Sequence, residues 1–185
     1  MTLTKTPICD FGKKAEDFKL KSTDNETITL EDIKGKNGTL IMFICNHCPY
    51  VKAIIKELVE DCKNLRKEGV NSVAIMSNDT VNYPEDSYDK MIEFAKRNQF
   101  DDLHYLFDEN QDIAKRFGAV CTPDFFGYNN NLELQYRGRM QELKNLKPVR
   151  SGDSELKIAM QMIAKTQKGP IEQIPSMGCN IKWFK

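Results

Sequence analysis

One stretch constrains this chain more than any other: the apolar run Leu40 to Ile44 leads straight into Cys45-Asn46-His47-Cys48-Pro49. A continuous run of strand length without a polar face is the pattern of a strand buried on both sides. From Pro49 the period changes to that of a helix, with Val51, Ile54, Ile55, Leu58, Cys62 and Leu65 on one face and Gly69 as the C-terminal stop. The local order is therefore strand, Cys-x-x-Cys, helix.

The rest of the chain builds around that unit. Phe18 to Ser22 and Thr27 to Leu30 alternate about the turn residues Asp24-Asn25 and predict an N-terminal hairpin. Val70 to Met76 is a second buried strand, closed by Ser77-Asn78-Asp79, and Tyr88, Met91, Ile92 and Ala95 mark the core face of a helix. Leu103 to Phe107 is a short apolar strand, and Ile113, Ala114 and Phe117 form a brief helix ended by Gly118. Asp124 to Tyr128 is a strand that Asn129-Asn130-Asn131 turns into Leu132, Leu134 and Tyr136, its alternating partner. Leu156, Ala159, Met160 and Ile163 define a last helix. Strands alternating with helices, then a hairpin and a helix, predict an α/β fold: a central mixed sheet flanked by helices, with an antiparallel edge. Residues 1–167 are expected to form one domain, and 168–185, with Gly169-Pro170 and Pro175, an extended tail packed on it.

Composition narrows the function classes. Lys+Arg and Asp+Glu are both 27 in 185 residues, so no basic excess exists to neutralise a phosphate backbone and nucleic acid is not an expected partner. The longest apolar run, Leu40 to Cys45, falls far short of the roughly 20 residues of a membrane span. Met1 to Pro7 has no apolar signal region, so a cytoplasmic location is expected. There disulfides are transient, catalytic or sensory, which directs attention to the spacing of the six cysteines.

A thiol is a nucleophile only as its thiolate, so a reactive cysteine needs something to lower a pKa of about 8.5. Cys45 stands where strand gives way to helix, and the unpaired N–H groups of the helix start are expected to face its sulfur. His47, inside the pair, is expected to stabilise the thiolate further. Cys48 is spaced to resolve a mixed disulfide at Cys45. Pro49 suits a first helical turn, where its missing N–H has no helical partner. A zinc site or two inert core thiols are the alternatives. Zinc needs a second close pair, whereas Cys62 lies on the helix core face and Cys9, Cys121 and Cys179 stand alone, so no metal is assigned. No cofactor is expected. A second element is Cys121-Thr122-Pro123-Asp124, where a proline at the entrance of a strand calls for a turn; an X-Pro bond of either isomer fits, the trans form being commoner.

Together, "DFKL…TITLEDIKGK", "TLIMFICNHCPYV", "SVAIMSND", "YLFDENQDIAKRFGAVCTPDFF" and "SMGCNIKW" resemble the thioredoxin-like superfamily in its peroxiredoxin-like, or redoxin, branch, over about Phe11 to Trp183. The resemblance implies a thioredoxin-like fold with a helical insertion after "SVAIMSND". It also implies a cis proline at Thr122-Pro123 opposite Cys45, with backbone available to an extended substrate and Cys121 nearby. Departures matter as much. Ile44 stands where thioredoxin carries Trp, Asn46-His47 replaces a proline-containing pair centre, and Thr39 replaces a buried acid. The peroxidase motif Pro-x-x-x-Thr-x-x-Cys, ended at Cys48, meets Ile41 and Cys45 in its place, and an activating arginine has no match unless Arg137 or Arg139 reaches in.

The expected function is thiol–disulfide exchange on a protein or small-molecule disulfide, served by a thiol reductant system, with Cys45 attacking, Cys48 resolving and His47 making the pair more oxidising. A thiol peroxidase is the alternative, and a copper-binding redoxin a third, although those proteins place three residues between their cysteines. Cys62 and His104 read as structural, Cys9 as incidental, and Asn78 and Asp79 as loop caps at the carboxyl end of a strand. Cys179 is either an accessory thiol or one that docks with the tail.

Overall fold

The computed structural model describes residues 2–185. The elements in chain order are β1 (Leu3–Lys5), β2 (Lys19–Ser22), β3 (Thr27–Thr29), α1 (Leu30–Ile33), β4 (Gly38–Phe43), α2 (Pro49–Lys67) and β5 (Val70–Met76). A single 3-10 turn, Pro84–Asp86, precedes α3 (Tyr88–Arg97), β6 (His104–Phe107), α4 (Asp112–Phe117), β7 (Cys121–Thr122) and β8 (Asp124–Tyr128). The chain ends with β9 (Leu134–Tyr136), β10 (Leu143–Lys144), β11 (Lys147–Pro148), α5 (Glu155–Thr166) and β12 (Met177–Asn180).

The central sheet runs β3-β2-β6-β5-β4-β8-β9, with β4, β5 and β6 parallel and its other pairings antiparallel. Because side chains alternate across a strand, β4 feeds two cores. Leu40 and Met42 pack with residues of α2, α3 and α5, such as Leu58, Met91 and Ile163. Ile41 and Phe43 join Ile33 of α1, Phe117 of α4 and Phe126 of β8 on the opposite face. The sheet is thus covered on both sides, as an apolar strand without a polar face requires.

Two expectations are corrected. Ile92 is 39% exposed: the stripe of α3 turns through Met91, Phe94 and Ala95, leaving Ile92 at its margin. The tail is also more than an extended cover. β12 inserts between β1 and β7, pairing Leu3 with Cys179 on one side and Thr122 with Cys179 on the other. No described helix is long and apolar enough to cross a membrane.

This small sheet depends on Gly178. A Cβ there would lie 2.1 Å from the carbonyl oxygen of Thr122 and 3.1 Å from the Pro123 ring, a backbone clash that only a shift of β12 relieves. Gly178→Ala should therefore destabilise the fold by roughly 1–3 kcal/mol, the usual cost of overpacking. It should also speed alkylation of the buried cysteines. Urea unfolding and timed alkylation check both; an unchanged midpoint and labelling rate would show that β12 does not depend on this close approach.

Candidate functional site

Strand β4 ends at Phe43 and α2 begins at Pro49, so the Cys-x-x-Cys spans the intervening loop and Cys48 is the N-cap of the helix. This moves the helix start away from Cys45. The Val51 N–H in the first turn of α2 lowers the Cys48 pKa, an effect that was expected of the helix start on Cys45. Both side chains are enclosed, Cys45 being 1% exposed and Cys48 0%. Neither sulfur is therefore open to solvent in this conformation.

Thr122-Pro123 is cis and lies across from the pair. Thr122 Oγ1 is 3.4 Å from Cys45 Sγ, and as a thiol Cys48 donates to Thr122 O at 3.1 Å. Thr122's ladder partner, however, is Cys179 of β12, so the expected opening for an extended substrate is filled by the chain's own tail. Cys179 Sγ lies 3.1 Å from Cys48 Sγ. Cys121, on the neighbouring strand position, turns its thiol to Pro123 O at 3.5 Å, and burial raises its pKa.

Electrostatics divides the pair unequally. Cys48 is pulled down to about 5, chiefly by the Cys45 thiol beside it, with Cys179 and the Val51 N–H adding to this against burial. Cys45 moves the other way, because it is the hydrogen-bond partner of that anion, is buried, and stands near the Asp86 charge. The helix start and the third thiol thus favour the thiolate on Cys48, whereas it was expected on Cys45.

The loop is held by a residue that sequence reasoning missed. Asp86, fully buried, accepts from the N–H groups of Asn46 (2.8 Å) and His47 (3.3 Å) and from Asn78 Nδ2 (2.8 Å), and lies 2.6 Å from His47 Nδ1. That contact raises the His47 pKa, and the ring stacks on Tyr83 with centroids 5.8 Å apart. His47 Nδ1 is only at the limit of contact with Cys45 Sγ, at 4.0 Å. The imidazolium expected to stabilise the Cys45 thiolate is largely neutralised by Asp86. Tyr105 Oη donates to Asn46 Oδ1 at 2.9 Å, fixing the loop from β6. Nothing in the spacing of Pro84-Glu85-Asp86 signals this role; the only pointer is the position of Asn78 and Asp79 at the carboxyl end of β5, where open α/β sheets place ligands.

Cys45, His47 and Asp86 offer ligand atoms within 4.8 Å of one another, a mixed set able to hold a metal ion. The 2.6 Å between His47 Nδ1 and Asp86 is that of a short charge-assisted hydrogen bond. The remaining candidates lie elsewhere. Arg137 binds Asp124 (3.0 Å) and Gly118 O (2.8 Å), and Arg139 binds Glu155 (2.8 Å), so neither supplies the activating arginine. Thr39 Oγ1 accepts from Gly35 N–H. Burial raises Cys62 to about 12 and Cys9 to about 11, consistent with inert thiols. Asp79 caps its loop through the N–H groups of Val81 and Asn82. A cavity of about 270 Å³ opens beside Pro123, lined by Tyr50, Ile54, Phe125, Met140 and Met177 among others, with neither pair cysteine in its wall.

With this geometry in view, the AhpC/TSA family profile matches residues 11–142. The chain is similar over its whole length to an uncharacterized conserved protein from Geobacillus kaustophilus, of which 97% is covered, at 37% identity and a TM-score of 0.94. It also resembles a peroxidoxin from Mycobacterium tuberculosis (16% identity, 69% of this chain and 83% of that one, TM-score 0.56). A third likeness is to the thioredoxin domain of a thiol-disulfide oxidoreductase from Bacteroides vulgatus (13% identity, 73% and 89%, TM-score 0.58). The fold is thioredoxin-like. No curated protein matches the chain.

Two measurements check the electrostatics. Alkylation rate against pH, read by peptide mapping, should label Cys48 before Cys45 and rise through an inflection near the depressed value of about 5, well under the free thiol's roughly 8.5; first labelling at Cys45 would overturn the assignment. For His47, NMR titration should give a pKa above about 6.5, falling in Asp86→Asn. The raised value means that the contact contributes stability fully below about pH 6.5 and loses it as pH climbs through the folded-state pKa. The stability gap between wild type and Asp86→Asn should accordingly narrow toward alkaline pH.

Proposed function

The chain belongs to the AhpC/TSA family and is a redoxin-type oxidoreductase; from that premise we propose that it is a dithiol–disulfide oxidoreductase in which Cys45 and Cys48 cycle between two thiols and one intramolecular disulfide. The observation that carries this reading is the placement of the pair, with Cys48 at the N-terminus of α2 and Cys45 at 3.4 Å from the Thr122 hydroxyl. Cys48, as thiolate, attacks one sulfur of a substrate disulfide. The other sulfur departs as a thiolate and takes up a proton. Cys45 then gives up its proton and attacks Cys48, releasing the second half of the substrate as a thiol. The substrate gains two electrons, the pair loses two, and an external thiol reductant restores the dithiol.

The substrate in this proposal is a small disulfide rather than a protein. Enclosure of the pair and occupation of Thr122's ladder by β12 both disfavour an extended polypeptide. His47 and Asp86 act as positioning residues that hold the loop.

A second reading, thiol peroxidase, is favoured by the low pKa of Cys48 at a helix start. Attack by Cys48 on a peroxide would give a sulfenic acid that Cys45 condenses to the same disulfide with release of water. Against it, Arg137 and Arg139 are both engaged elsewhere.

Turnover with hydroxyethyl disulfide, insulin and hydrogen peroxide separates the readings. Small-disulfide reduction should dominate, insulin reduction should be weak, and Cys48→Ser should lose turnover altogether. Faster peroxide turnover would select the peroxidase, and full activity of Cys48→Ser would remove both.

A further inference from the structure

We propose that Cys179 is a third redox thiol, which takes the disulfide from Cys45 and holds it as a Cys48–Cys179 bond across β12. The inference rests on the dithiol reading above and adds to it a residue that the Cys-x-x-Cys motif does not contain.

Geometry supplies the argument. Of the four cysteines outside the pair, Cys179 is the one in contact with a pair sulfur, at 3.1 Å from Cys48 Sγ. A disulfide needs about 2.05 Å, so the two sulfurs must close by roughly one ångström. The strand carrying Cys179 is fixed in register by β1 on one side and β7 on the other, and the register places it opposite Thr122. Thr122 in turn contacts both Cys45 and Cys48. The three thiols therefore converge on one residue of the cis-proline loop. Cys121 has no such contact, because its thiol turns to Pro123 O.

The step is an exchange and needs no outside oxidant. Starting from the Cys45–Cys48 disulfide, Cys179 loses its proton and attacks Cys48; the Cys48–Cys179 bond forms as the Cys45–Cys48 bond breaks, and Cys45 leaves as a thiolate that takes up a proton. One disulfide is present before and after. Burial holds the Cys179 thiol at about 12, with the nearby Lys182 charge opposing this, so its proton must be passed to the departing Cys45 rather than released beforehand. The outcome returns Cys45 to its thiol form beside the Thr122 hydroxyl. It also ties β12 covalently to α2, so that the strand covering the cis-proline loop is locked in the oxidised protein.

The test is disulfide mapping after mild oxidation with one equivalent of hydroxyethyl disulfide and an acid quench. Wild type should yield both the Cys45–Cys48 and the Cys48–Cys179 linked peptides from a single preparation. Cys45→Ser, whose hydroxyl can still donate to Cys48, should lose two thiols per chain and give only the intramolecular Cys48–Cys179 link, and Cys45→Ala serves as a second background. The double variant Cys45→Ser/Cys179→Ala should lose that link. A wild-type map with Cys45–Cys48 alone would overturn the proposal. So would Cys45→Ser or Cys45→Ala proteins, folded by circular dichroism and alkylated at Cys48, that form no link to Cys179. Failure of the underlying reading looks different: wild type without any Cys45–Cys48 link would remove the dithiol cycle, while the Cys45→Ser map would still decide whether Cys179 reaches Cys48.

Discussion

A carboxylate with no access to water must be surrounded by donors, and the way Asp86 meets that requirement organises the site. Its oxygens collect the Asn46 and His47 N–H groups, the His47 ring and the Asn78 amide, which binds the cysteine loop to the segment after β5. The same Asn78 side chain accepts from Lys182 N–H at 2.9 Å, and Gln111 Nε2 bonds both Ser77 O and Lys182 O at 2.7 Å. A continuous set of hydrogen bonds therefore runs from the cysteine loop through Asp86 to the tail. The cysteine loop and Lys182 of the tail are thus tied to one buried charge, while the ladders with β1 and β7 set the register that brings Cys179 to Cys48.

The balance between the two pair cysteines can be weighed with general magnitudes. One pKa unit corresponds to about 1.4 kcal/mol, and a charge at a helix end gains up to about 2 kcal/mol in a partly buried geometry. The helix start alone therefore moves Cys48 by at most about 1.4 units. Hydrogen bonds to a charged group contribute about 1.5–3 kcal/mol each, so the neighbouring thiols dominate, in agreement with Cys45 as the largest cause of the shift. The thiolate is favoured on Cys48 by these neighbours, while on Cys45 the Asp86 charge opposes it.

Much of the fold is legible in the sequence because its main elements are long enough to carry a period. The apolar run into Cys45, the seven-residue strand Val70–Met76 and the helical stripe from Val51 to Leu65 each specify element type and buried face without outside help. Gly69, with φ of +81°, ends α2 as a left-handed cap position should. What stays hidden is what long-range pairing defines. β1, β7 and β12 have three, two and four residues, too few for a pattern, and exist because each finds the others. Asp86 lies one loop away from the pair and makes no motif with it. The preference for Cys48 over Cys45 has the same origin: the spacing places both near a helix start, but only the actual first turn and the tail's thiol distinguish the two sulfurs.

Enclosure by β12 also bears on what can compete for the cis-proline loop. A segment of the same chain, joined through a short connection, acts at an effective concentration of order millimolar. A free polypeptide at micromolar concentration would start roughly a thousandfold behind for the same ladder, a deficit of about 4 kcal/mol at 1.4 kcal/mol per factor of ten. β12 has the further advantage that its other edge is already paired with β1, so displacing it breaks two ladders to make one. A small disulfide or a peroxide needs neither ladder, only a path to the sulfur. In the proposed cycle the tail would therefore act as a size filter, favouring compact oxidants over extended chains while leaving the chemistry of the pair intact.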